Sequence, residues 1–126
     1  MKKYLKLIIL LISITTIFSG ILQIISPGYV LNFIGADITS ATKHFFAILG
    51  MFMALFGGMM IQALYSVHTN EAAVLWASFQ KLGASLAVGL GIFYGIFNEF
   101  ALSVAIFDLL SGCIILWYYV GERNND

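Results

Sequence analysis

The sequence predicts an all-α integral membrane protein, a four-helix antiparallel bundle forming a single domain over residues 1–126. Three observations carry this. Of the 126 residues 61% are hydrophobic and only 10% charged, which takes the chain outside the range of soluble globular domains. Four apolar runs each reach the roughly 20 residues that a helix needs to cross a hydrocarbon core about 30 Å thick. None of them alternates polar and apolar residues as a lipid-embedded barrel strand does, so each backbone must satisfy its hydrogen bonds as a helix.

The first span covers about 5–25 and reads as a retained signal anchor. Its apolar stretch runs on through "ILQII", and bulky Ile17 and Phe18 stand where a signal-peptide cleavage site requires small residues. Ser13, Thr16, Gly20 and Gln23 share one face of it, where their side chains suit bonding to a neighbouring helix.

The long connection "SPGYVLNFIGADITSATK" follows. Pro27 and Gly28 stop the first span, and "YVLNFI" is too short to cross. It is expected as an interfacial turn at about 28–34 over the outer mouth, anchored by Tyr29 and Phe33. Gly35 suits a left-handed helix end, and Asp37 is expected to cap a second span at about 38–67.

That span carries small residues at Gly50, Ala54 and Gly58. The third, about 72–97, carries Gly83, Ala87, Gly91 and Gly95, so both are expected to present smooth ridges for close helix contact. A tight turn at Asn98 and Glu99 leads to the fourth span, about 100–120. Lys2, Lys3, Lys6 and Arg123 flank the outer two spans, whereas only Lys43 lies on the opposite side. Both termini are therefore expected in the cytoplasm of a multi-pass protein of the cell membrane.

Two charged residues fall inside the spans, Lys81 in "ASFQKLGAS" and Asp108 in "VAIFDLLSGC". Each costs about 2.5 to 3.5 kcal/mol at a helix centre, so each calls for a partner or a role. A turn centred between Asn98 and Glu99 sets Lys81 level with Leu116 and Asp108 level with Gly89, about 12 Å apart in depth. On that register no direct ion pair forms. Lys81 extends toward the cytoplasmic surface, and hydroxyls hold Asp108.

Thr15, Thr16 and Ser19, residues 51–53, Gly89 and Ser111 are the expected surroundings of Asp108, a polar pocket with the carboxyl at its floor. Gln23, Asp37, His44 and Glu99 map above it as a rim. The candidate ligand-binding set is thus Asp108, Thr16, Ser19, Ser111, Gln23, His44 and Glu99.

Other chemistries find little support. The two histidines lie at opposite ends of the second span and cannot share a metal, and no cofactor is implied. The single cysteine, Cys113, allows no intrachain disulfide or thiolate cluster and is expected to be a buried packing residue. Zero net charge without a basic stripe removes nucleic acid as a partner. No nucleophile-and-base pair is visible, so no catalytic residue is assigned.

A "P...FIG" connection, the glycine-bearing "FFAILGMFMALFGG" helix, a basic residue in the third span and an acidic one in the fourth together resemble small bacterial four-helix membrane proteins of the DoxX-like kind. That resemblance implies a compact bundle associated with quinone or redox partners, and it carries no catalytic residue across.

The expected function is a binding or accessory component that holds a lipid, quinone or similar amphiphile in the cavity containing Asp108. Two alternatives stay open: a small proton-coupled transporter, and a structural or assembly subunit of a membrane complex. Membrane lipid is the expected surrounding partner, with a homodimer or a partner subunit as the assembly.

Overall fold

The computed structural model describes residues 2–67 and 70–124. His68, assigned above to the far end of the second span, lies outside them. Five helices follow in order: α1 (Lys2–Ile25), α2 (Pro27–Ile34), α3 (Ser40–Tyr65), α4 (Glu71–Phe93) and α5 (Ala101–Asn124). All except the short α2 are long and apolar enough to cross a membrane.

Local chemistry sets the boundaries, and at the start of α3 and the end of α4 it moves them from the sequence expectation. Helix α2 begins with Pro27 at its first turn, where the missing N–H costs nothing. It ends in a Schellman motif: Gly35 has φ 74°, and the Ala36 N–H donates to the Leu31 carbonyl at 3.0 Å. Helix α3 is capped by Thr39, not Asp37. Thr39 Oγ1 accepts from the Thr42 N–H at 3.1 Å while Thr42 Oγ1 accepts from the Thr39 N–H at 2.8 Å. This reciprocal capping box satisfies two end groups together, so the helix starts at Ser40.

The larger departure is at the end of α4. Gly95 adopts φ 75°, and the Ile96 N–H turns back to the Gly91 carbonyl at 2.8 Å. What reads as the last member of a glycine ridge is the residue that stops the helix, four residues before the expected end at 97. A connection from Tyr94 to Phe100 replaces the tight turn at Asn98 and Glu99. Within it the Asn98 N–H donates to the Ile34 carbonyl at 2.7 Å and Asn98 Nδ2 to the Phe33 carbonyl at 3.1 Å. One asparagine thus satisfies two carbonyls at the end of α2 and fastens that helix over the α4–α5 connection.

The helices pair most closely as α1 with α3 and α4 with α5. Along the first pair, Gly20 lies against the backbone of Gly50 and Ala54. A Cβ added at Gly57 would sit 2.8 Å from the Ser13 carbonyl oxygen. Gly58, expected on that contact ridge, has nothing within 4 Å; Gly57 takes its place. Gln23, buried, donates from Nε2 to the Phe46 carbonyl at 3.1 Å and locks the same pair.

In the second pair, Gly112 receives the Leu82 side chain, and Ser78 Oγ donates to the Gly112 carbonyl at 2.9 Å. The expected ridge of α4 has Gly83 and Ala87 on the exposed surface and only Gly91 buried, against the Phe97 ring. Cys113 is likewise exposed on α5, not packed in the core, because Gly112 and Ser111 take the inward face at that level.

Apolar side chains gather in two clusters. One joins Ile9, Met60, Leu64, Val74, Ile115 and Tyr118; the other joins Leu31 and Ile34 of α2 to Ala101 and is flanked by Phe46, Val88 and Phe97. A polar layer lies between them.

Close backbone contact at Gly20 and Gly50 makes this pair intolerant of bulk. Gly20→Leu is expected to destabilise by about 1–3 kcal/mol through overpacking. Gly58→Ala, in open space, should be neutral or gain up to about 1 kcal/mol of helix propensity. Thermal unfolding midpoints in detergent measure both.

Candidate functional site

The polar layer is built from three helices. Thr16 on α1 points inward because its neighbours Ile9, Ile12 and Ser13 share its buried face, and its hydroxyl donates to the Ile12 carbonyl at 2.9 Å. That orients its lone pair toward Lys81 of α4, whose Nζ donates to Thr16 Oγ1 at 2.7 Å. The same Nζ stands 3.4 Å from Asp108 Oδ1 on α5 and 5.2 Å from the Phe107 ring centroid. Lys81 and Asp108 are 7% and 9% exposed, so their mutual contact replaces most of the solvent each would otherwise need.

The ion pair corrects two expectations: that Lys81 and Asp108 are too far apart to meet, and that Lys81 reaches out to the cytoplasmic surface. The physical reason is the early stop of α4 at Gly95. Against the expected register, the short helix and longer connection slide α4 relative to α5, so that Leu82 faces Gly112 and Ser78 bonds to the Gly112 carbonyl. Lys81 then comes within a side chain's reach of Asp108.

Above this layer lies a cavity of about 440 Å³. Lys81 and Asp108 form its charged floor, with Thr15, Thr16, Ser19 and Ser103 supplying hydroxyls. Leu22, Val30, Ile34, Met53, Val104 and Phe107 make the walls, and Gln23, Tyr29 and Phe33 stand toward α2. A second space of about 20 Å³, the size of one water, lies behind Lys81 and Thr16 beside Ser13 and Gln80.

Of the candidate residues, Asp108, Thr16, Ser19 and Gln23 come together around the cavity. Ser111 is buried one turn further along α5 but outside the lining. His44 and Glu99 are exposed and line no part of it, because α2 and its Asn98 clasp occupy the position where a rim was expected. Asp37 is also exposed and apart from it, as the chain turns away into the Thr39 cap. Gly89 and Met51, expected at the depth of Asp108, are absent from the lining; Met53 alone of residues 51–53 contributes.

Sequence reasoning missed the floor role of Lys81 and the wall residues Ser103, Val104 and Phe107. The last three were within reach, since positions 103, 104, 107 and 108 fall on one helical face. No group of three or more metal-ligating side chains occurs among the described residues.

The arrangement offers hydrogen bonds from a charged pair at the floor of a largely apolar chamber. Thr16 and Asp108 take up two of the three Lys81 N–H donors, and Asp108 has Lys81 as its one hydrogen-bond partner among the described residues. A donor and an acceptor are therefore left side by side at the floor. No family model, curated protein or solved structure matches the chain.

Because each charge relies on the other, Asp108→Leu alone and Lys81→Met alone are each expected to lose about 3–5 kcal/mol of stability. The double variant should recover most of it. A double-mutant cycle by denaturant unfolding in micelles measures the coupling; strictly additive losses would show that the two groups do not interact.

Proposed function

We propose that the protein is an integral membrane four-helix antiparallel bundle that binds a small amphiphile, a lipid or a quinone-like molecule, in the cavity above Lys81 and Asp108. The observation that carries this reading is the cavity itself: about 440 Å³, largely apolar on its walls, with its two charged groups together at the floor. Ligand sites for small molecules have this size and this division of labour, with a few placed polar groups fixing orientation. A purely structural ion pair needs no such space beside it.

The bilayer supplies the setting. The four long helices expose Leu7, Leu11, Phe18, Leu55, Leu86 and Leu110, apolar side chains that acyl chains solvate without cost. The basic residues at the ends of α1 and α5 favour cytoplasmic termini, with the cavity and α2 toward the outer side. DoxX-like proteins remain the family whose layout this chain resembles, and membership in that group is part of the proposal.

A second reading, proton-coupled transport, draws on the small space behind Lys81. Lys81 borders both that space, beside Gln80, and the cavity, beside Asp108. Under that reading, substrate-driven proton movement in proteoliposomes disappears in Asp108→Asn; proton movement unchanged in the variant rejects it.

For the amphiphile reading, native mass spectrometry of the purified chain is expected to show a bound lipid-soluble adduct. Ser19→Phe, which fills the chamber without touching the ion pair, should abolish it. Retention of the same adduct by a folded Ser19→Phe protein would exclude the cavity as its site. A fluorescent-protein fusion at the C-terminus should mature, as cytoplasmic fusions do, whereas an alkaline phosphatase fusion there should stay inactive.

A further inference from the structure

We infer that the cavity selects an amphiphile with one small uncharged head, a hydroxyl above all, and that this head reaches the Lys81–Asp108 floor from the side of the molecule. The inference rests on the cavity being a ligand site in a membrane bundle and specifies what that ligand is.

Depth argues first. At a rise of about 1.5 Å per residue, Thr16, Lys81 and Asp108 lie between about 10 and 18 Å below the ends of their helices nearest α2. In a bilayer this is the hydrocarbon region, below the layer where phospholipid headgroups stay hydrated. A phosphate-bearing head would have to be stripped of water to reach the floor. A hydroxyl or carbonyl gives up far less hydration, and its cost is met by hydrogen bonds at the floor.

Charge narrows the choice. Among the described residues Lys81 and Asp108 are the only charged side chains in the lining, and as a pair they carry no net charge wherever the proton between them resides. An anionic head would meet Asp108 and a cationic head would meet Lys81. Each would bring an unbalanced charge that no other lining group neutralises. A hydroxyl instead accepts from the remaining Lys81 N–H and donates to Asp108, matching both vacant positions with one atom.

Access is lateral. Thr15 on α1 and Phe107 on α5 line the cavity and are also exposed near this depth, and Ser103 and Val104 continue the same exposed edge toward α2. The cleft between α1 and α5 therefore opens sideways toward the acyl chains. About 440 Å³ accommodates the head and the first part of a chain, and the remainder of the tail lies in the opening.

The test uses the full chain in nanodiscs with a photoactivatable hexadecanol carrying its diazirine near the hydroxyl. Competitors are unlabelled hexadecanol, hexadecanoic acid, hexadecylammonium and phosphatidylglycerol. Labelling is expected at peptides containing Ser19, Val104 and Phe107, with hexadecanol competing at about tenfold lower mole fraction than the others. In the Lys81→Met/Asp108→Leu double variant, whose apolar floor keeps the fold, labelling should fall about tenfold. Cavity labelling displaced best by the acid, the amine or the phospholipid would overturn the choice of head while leaving the cavity a ligand site. Loss of every adduct and every cavity label would remove both.

Discussion

Lysine and aspartate at the centre of an apolar helical protein need each other, and their meeting between Thr16 and Phe107 constrains everything around it. Either charge alone in a low-dielectric interior costs several kcal/mol; joined and hydrogen-bonded, they form a neutral unit that three helices share. Thr16 ties α1 into that unit although α1 and α4 otherwise touch little. The pair thus connects the two halves of the molecule, the α1–α3 pair and the α4–α5 pair, at the level where neither apolar cluster reaches.

Meeting at this point depends on helix length. Gly95 ends α4 by adopting a left-handed conformation that residues with a Cβ rarely take, and the connection that follows is long enough to dock on α2 through Asn98. A helix running on to residue 97 would carry Lys81 away from Asp108 along the axis. The clasp has a second effect, since it holds α2 over one end of the helices and keeps Tyr29, Val30 and Phe33 beside the cavity. The termination of one helix, the position of another and the shape of the chamber are therefore one structural decision.

Close packing elsewhere, with Gly20 against Gly50 and Gly112 against Leu82, shows that these helices approach tightly wherever small residues permit. Between α1 and α5 they do not close, and the gap lies directly over the ion pair. Exposed donors and acceptors at the base of an apolar gap give a reason for carrying two costly charges so deep, and this is the physical content of the amphiphile-binding proposal.

Much of this was legible in the residues. Apolar runs long enough to span a bilayer, the Pro27 and Gly35 boundaries of the short helix, the inward face of Thr16 and Gln23, and the oddity of Lys81 and Asp108 all follow from local periodicity and transfer energies, which need no partner to evaluate. The glycine at 95 was ambiguous, because a four-residue series of small residues describes a packing ridge and a helix stop equally well until the backbone dihedral is known. His44 and Glu99 were placed at the rim by counting depth along straight helices, and such counting cannot see an eight-residue helix clasped into the same place. Composition and periodicity alone establish a helical, apolar chain burdened with two interior charges. That those charges pair follows only from the packed arrangement, because an ion pair between residues 27 positions apart depends on the relative sliding of two helices, a quantity set by one turn's geometry and by packing, not by the composition of either helix.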